Sequence, residues 1–288
     1  MLIDYFKLIR PYQWVKNFFC LSGIIFGLHF TESNFLIPAL IAFSAFCLTA
    51  SAVYFLNDII DIAEDRSHSK KRYRTIASVK IGITQAYSLF ALLLCLGLIL
   101  SLFAGKYLFL VILTYVLLNI YYTKTGKHID IFDDFINSIG YLLRVFAGTH
   151  CNGIPLSAWL TLCVIALTLF LGFSKRRAEL LACEISHQNK IVQRRVLEQY
   201  EPNMLNIFIA ITASASILSY ALFIVISHPY SPVVCTIIFV IYGIFRYIYL
   251  LYSHTAGQDT ANDLLDDKHL IIVFILWVIT YVEILQLS

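Results

Sequence analysis

Nine mostly apolar stretches, at about 17–31, 34–56, 82–104, 107–123, 131–151, 155–174, 205–227, 231–252 and 270–287, account for most of the chain. About 20 such residues in a helix cross a bilayer core, so little is left from which to build a water-soluble fold. Of the 288 residues, 59% are hydrophobic and 14% charged, against about 45–50% and about 25% in ordinary globular domains. That balance excludes disorder, and it excludes a nucleic-acid partner held by a dense basic face.

The polar breaks between the stretches alternate between two kinds. Alternate breaks, beginning with the segment before the first stretch, hold 18 of the 21 Lys and Arg residues. The opposite breaks hold Lys106 alone, while Arg144 and Arg246 lie within stretches. Basic loops stay in the cytoplasm, so this asymmetry predicts an all-α integral membrane protein with nine transmembrane helices and a cytoplasmic N-terminus. The expected organisation is one polytopic domain over 1–288, in the cytoplasmic (inner) membrane, with its chemistry at the cytoplasmic mouth. The N-terminal charges give no sign of a cleaved signal peptide. Seven scattered cysteines without Cys-x-x-Cys spacing read as buried hydrophobes, not as a disulfide frame or a zinc site.

Two polar constellations interrupt the apolar pattern. In the first, Asn57, Asp58, Asp61 and Asp65 close the second stretch. At 100° per residue, Asp61 and Asp65 lie within about 60° of Asp58 on one helical face. Carboxylates in register repel one another and call for a cation between them. Hard oxygen donors suit Mg²⁺, which takes one or two carboxylates and leaves its other positions to water and phosphate oxygens. Lys71, Arg72 and Arg74 follow and suit anionic oxygens. The alternative is an ordinary solvated helix end.

The second constellation runs Lys127, His128, Asp133, Asn137, Gly140, Arg144. If helical from about 130, its last four members lie within about 40° of Asp133 and form a polar stripe, with Arg144 about 16 Å deeper than Asp133. A buried arginine in a span marks a functional site by default, or else an ion pair joining two helices. Lys16 and Asn17, in the run Arg10–Asn17, suit either an interfacial anchor or a lipid headgroup contact. Lys175 and Arg176 suit either a positive-inside anchor or a phosphate site.

The Asn57–Asp58–x–x–Asp61–x–x–x–Asp65 motif and the nine stretches resemble the UbiA superfamily of intramembrane prenyltransferases. Within it, residues 10–17, 57–78, 126–148 and 174–180 resemble most the decaprenyl-phosphate phosphoribosyltransferase branch. Prenyltransferases acting on aromatic rings carry a second Asp-x-x-x-Asp stretch after the sixth helix, where this chain has Lys175-Arg176-Arg177-Ala178-Glu179. The last loop, 257–270, lacks the prolines of the phosphoribosyltransferase branch.

The resemblance implies a UbiA-type helical bundle that transfers 5-phosphoribose from phosphoribosyl pyrophosphate to a polyprenyl phosphate, releasing pyrophosphate. It implies metal binding, by Mg²⁺ or alternatively Mn²⁺, through Asn57, Asp58, Asp61 and Asp65. It places Asp58, Asp61, Asp65 and Asp133 at the chemistry, and Lys16, Asn17, Asn57, Lys71, Arg72, Arg74, Lys127, His128, Arg144, Lys175 and Arg176 around the substrates. The product would supply a furanose donor for a cell-envelope polysaccharide. The rival readings are prenyl transfer from a prenyl diphosphate to an aromatic acceptor, and a secondary transporter.

Overall fold

The computed structural model describes residues 8–29, 31–67, 71–186, 200–229, 231–253, 257 and 260–287, without the side chains of 67, 71, 183–186, 260 and 261. Every regular element among them is helical. A 3₁₀ run, Pro11–Leu21, leads into α1 (Ser22–Phe26), followed by α2 (Ser33–Ile60), α3 (Ile62–Ser67), α4 (Ile83–Ala104), α5 (Lys106–Lys124) and α6 (Phe132–Gly148). Then come α7 (Ala158–Ser186), α8 (Pro202–Ser227), α9 (Ile237–Tyr252), α10 (Thr260–Asp266) and α11 (Lys268–Leu287).

Among the described residues, seven helical segments are long and apolar enough to cross a membrane, where nine stretches were expected. Stretch 17–31 divides between the end of the 3₁₀ run and the five-residue α1. Stretch 131–151 becomes the 17-residue α6, which carries Asp133 and Asp134 in its first turn and Arg144 further along. The expected sixth stretch, 155–174, continues as helix to Ser186. Its polar extension is rich in helix-forming Arg, Ala, Glu and Leu, and Arg176 bonds Glu179 one turn on. On α4 and α11, apolar side chains such as Leu96, Ile99, Phe103, Ile272 and Phe274 are exposed, the surface a lipid-facing helix presents. The chain is an integral membrane protein.

The helices form two compact units, and α6 contributes to both. The first contains 8–136 and 143–154 among the described residues. It is built on α2, whose Ala39, Ala42, Ala45, Ala50 and Ala52 are buried. Small side chains let helix backbones approach closely where no hydrophobic effect drives association. A Cβ on Gly97 of α4 would lie 2.5 Å from Thr49 Cγ2 and 3.2 Å from Ala45 O, so glycine is needed at that crossing.

The second unit contains 137–142, 155–186 and 200–287 among the described residues. Leu169, Phe170 and Phe173 of α7 pack in one cluster with Leu205 and Ile209 of α8, Tyr247 and Leu251 of α9 and Leu270 of α11. Asp267 caps α11: its Oδ1 accepts from the Leu270 N–H at 2.9 Å, and its Oδ2 meets Arg246 Nη2 at 2.7 Å. The Arg246 hydrogen bond outweighs burial and, with the Leu270 N–H, holds the Asp267 carboxyl below its ordinary value. Such a group stabilises the fold fully above its unfolded value of about 4, and that stability is lost as pH falls through the lower folded value. Thermal melts between pH 7 and pH 3 should therefore show a smaller acid loss for Asp267→Asn than for wild type. At pH 7, Asp267→Ala, which also loses the cap, should cost about 1 kcal/mol.

Candidate active site

The first unit draws cations from three parts of the chain onto the acidic motif. Asp58 lies in the last turn of α2 and is 3% exposed. Asp61 is the residue at the break before α3, and the Asp65 N–H still donates to the Asp61 carbonyl at 2.8 Å. The helical path is thus nearly continuous across the break, which keeps Asp58 and Asp65 on one side.

Arg10 Nη2 reaches both oxygens of Asp58, at 2.5 and 2.7 Å. The segment before Pro11 is fastened to α2, since the Ser51 hydroxyl donates to Ile9 O at 2.9 Å and Trp14 Nε1 donates to Ser51 Oγ at 3.1 Å. Arg10 itself adopts φ 54°, ψ 59°, a left-handed conformation that costs a non-glycine residue about 1–2 kcal/mol. Its guanidinium also lies 5.1 Å from the Tyr54 ring centroid. Burial works against the Arg10 charge, but Asp58, aided by Tyr12 and Tyr54, more than offsets it, so the guanidinium holds its proton above the ordinary value.

Arg74 Nη1 lies 3.2 Å from Asp58 Oδ1 and 2.8 Å from Asp65 Oδ2. Two carboxylates about two helical turns apart therefore converge on one cationic nitrogen. Lys127 is buried, and its Nζ bonds Asp61 Oδ1 at 2.6 Å, with Glu64 at 3.8 Å. Asn57 is held by the Thr123 hydroxyl, which also bonds Asn119 O at 2.8 Å.

Among the described residues, no group of three or more His, Cys, Asp or Glu side chains is arranged to hold a metal ion. The pair Asp58 and Asp65 nonetheless fits a hard divalent cation, which needs only one or two carboxylates. Arg74 Nη1 marks a position where both reach a single positive charge. Asp61 is turned to Lys127 instead.

The stripe on α6 is divided. Asp133 and Arg144 are buried, whereas Asn137 is exposed. Arg144 Nε donates to Asn17 Oδ1 at 2.7 Å and Nη2 to the Tyr115 hydroxyl at 3.1 Å, with the Tyr115 ring centroid 4.8 Å away. Asn17 in turn donates to Cys47 Sγ at 3.3 Å. Arg144 and Asn17, each expected at a substrate, thus bond one another and tie the 3₁₀ run to α6.

Lys16 is half-buried, and His128 is exposed. Arg72 turns to its neighbour, bonding the Tyr73 hydroxyl at 2.7 Å, and the Lys71 side chain lies outside the described residues. Lys175 and Arg176 belong to α7 of the second unit, where Arg176 bonds Glu179 at 2.7 Å. The six described cysteines are free thiols.

Residues 17–265 match the family model described as the UbiA prenyltransferase family. A decaprenyl-phosphate phosphoribosyltransferase of Mycolicibacterium smegmatis is 33% identical over 220 residues, covering 75% of this chain and 68% of that one. A protein of the same name from Mycobacterium tuberculosis is 31% identical over 281 residues, covering 95% and 91%. The solved structure of a UbiA homolog from Archaeoglobus fulgidus, bound to GPP and Mg²⁺, superposes with a TM-score of 0.74 at 15% identity, covering 98% of this chain and 99% of that one. The apolar helices, the acidic motif ringed by cations and the family match over most of the chain lead to one conclusion: this chain belongs to the UbiA prenyltransferase family.

Proposed function

We propose that the protein transfers 5-phosphoribose from phosphoribosyl pyrophosphate to a polyprenyl phosphate at the cytoplasmic face of the inner membrane. In this reading the chain crosses the membrane nine times with its N-terminus in the cytoplasm, α1 and α6 completing the seven longer spans. The carrying observation is the concentration of fixed positive charge on the acidic motif: Arg10, Arg74 and Lys127 all reach it. A site that must bring two multiply charged phosphates together needs such charge. The names of the two mycobacterial relatives support the same substrates.

A phosphate oxygen of the lipid forms the new bond to the anomeric carbon of the ribose. The bond from that carbon to pyrophosphate breaks, and pyrophosphate leaves with the electron pair. The attacking phosphate is already anionic at pH 7, so no side chain has to remove a proton. Arg74 and Lys127, with Arg72 and Lys71, hold phosphate oxygens, and His128 and Asp133 border the ribose. Lys175 and Arg176 receive the lipid head, while Asn17 and Arg144 keep the 3₁₀ run in place. Asp58 and Asp65, with Asn57 and Asp61, would hold a divalent cation, Mg²⁺ or Mn²⁺, which would supply positive charge to offset that of the leaving pyrophosphate. Arg10 and Arg74, which reach the same carboxylates, supply fixed positive charge beside the substrate's phosphates.

Pyrophosphate release by the purified protein tests the reading. Release from phosphoribosyl pyrophosphate should require a polyprenyl phosphate, and a prenyl diphosphate supplied with an aromatic acceptor should yield none. The opposite pattern would reassign the chain to aromatic prenylation.

A further inference from the structure

Two consecutive arginines of α7 are buried and differ in what they meet. Arg176 bonds the carboxylate of Glu179 at 2.7 Å. Arg177 projects about 100° further round the helix and meets no carboxylate among the described residues. Its Nε donates to Asn206 Oδ1 at 2.7 Å, and its guanidinium lies 4.0 Å from the Tyr252 ring centroid. Arg177 is 7% exposed, and its Nη1 is shut from solvent without a hydrogen-bond partner. Ser174, three residues earlier and so a neighbour on the helix surface, is fully buried, and its hydroxyl is likewise without a partner.

A guanidinium in a low-dielectric interior is costly unless an anion compensates it, and native structures orphan few buried donors. Asn206 and Tyr252 hold the plane of Arg177 with a neutral oxygen and a ring face. They orient the fork and leave its charge uncancelled. A second feature adjoins this turn of α7. Gly257, at φ +102°, packs so closely that a Cβ there would lie 2.6 Å from Ala178 Cβ and 3.3 Å from Ser174 O. Asp263 Oδ2 accepts from the Gly257 N–H at 2.7 Å and from the Tyr247 hydroxyl at 3.1 Å, which pins Gly257 against α7.

We propose that the Ser174–Arg177 turn is an anion site for a phosphate monoester, with Arg177 supplying the charge, Ser174 a hydroxyl donor, and Gly257 held against the turn by Asp263. A phosphate offers paired oxygens to the guanidinium fork and a further oxygen to the hydroxyl. The site stands on its own geometry, whereas identifying its anion as the head of the polyprenyl phosphate rests on the reaction proposed above.

Isothermal titration of the purified full chain without divalent cation, so that nothing turns over, tests the site with three probes: a short-chain polyprenyl phosphate, the matching polyprenol and ribose 5-phosphate. Arg177→Gln should weaken polyprenyl phosphate binding about tenfold or more, the weight of one charge-assisted contact, and leave polyprenol binding unchanged. Arg177→Lys should fall between, and Ser174→Ala should lose a smaller factor. A tenfold loss for ribose 5-phosphate alone would support the site and give it to the sugar substrate. The site is overturned if neither phosphate binds wild type, or if both bind the variants as tightly as wild type. Because only binding is read, each of these results has the same meaning whether or not phosphoribosyl transfer occurs. If Arg177→Gln fails to fold, Arg177→Lys and Ser174→Ala carry the comparison.

Discussion

Asp58→Asn is expected to lower turnover by about 10²–10³-fold, the scale of losing one preorganised electrostatic contact in an active site. Asp58 is where Arg10 and Arg74 meet and, in the proposed reaction, where the metal binds with Asp65. The substitution keeps volume and removes charge. It also leaves Arg10 facing a neutral amide in a buried setting, so stability should fall by up to about 3 kcal/mol. Sequence alone suggests an isosteric change without cost to folding, and the Arg10 contact is the reason to expect otherwise. Adding Arg10→Gln separates the effects: the double variant should regain much of the lost stability and none of the lost turnover. Thermal melts and initial rates on the single and double variants check this. Turnover within about tenfold of wild type in Asp58→Asn, a loss of less than about 1.4 kcal/mol in transition-state stabilisation, would contradict the assignment.

The second large effect is on folding. A Cβ on Gly148 would lie 1.9 Å from Cys20 O and 2.5 Å from Cys20 C, and a Cβ on Gly23 would lie 2.2 Å from Gly148 O. The obstructing atoms are backbone, so no rotamer change relieves them. Glycine at both positions lets the end of the 3₁₀ run and α1 cross α6 backbone to backbone, near where Asn17 bonds Arg144. Gly148→Ala should cost about 3 kcal/mol or more, the upper range for overpacking. At about 2–4 °C per kcal/mol, the melting temperature of the purified protein should fall by about 6–12 °C or the folded yield should collapse. A melting temperature unchanged from wild type would mean that this crossing is not close.

Much of the fold is legible in the sequence because lipid imposes one rule: an apolar run of sufficient length must become a helix that satisfies its own backbone. That rule locates α2, α4, α5, α8 and α11 to within a few residues, and α9 together with the 3₁₀ turn Pro232–Thr236 before it. It misplaces the end of α7, since the polar residues after 174 look like a loop to a hydropathy count although Arg176 and Glu179 support continued helix. It also hides the make-up of 17–31, because apolarity does not distinguish a 3₁₀ run from an α-helix.

The acids of the candidate site are legible because they fall within nine residues of one another. Their partners are not. Arg10 lies 48 residues from Asp58, and Lys127 and Thr123 each lie 66 residues from the motif residue they bond. No periodicity encodes a pairing made by packing separate helices. Arg10 had one local mark, its place before Pro11, and Thr123 had none. Arg144 stands out as a charge in an apolar run, but the Asn17 and Tyr115 that hold it are visible only in the fold.

The central claim, phosphoribosyl transfer to a lipid phosphate, is tested most directly by following the sugar. Purified protein is incubated with ribose-labelled phosphoribosyl pyrophosphate, a polyprenyl phosphate and Mg²⁺, and label is counted in the organic extract, with a chelator and Asp58→Asn as controls. Label in the lipid that disappears in both controls is the expected result. Unlabelled lipid from folded protein, with prenyl diphosphate consumed when an aromatic acceptor is supplied, would contradict it.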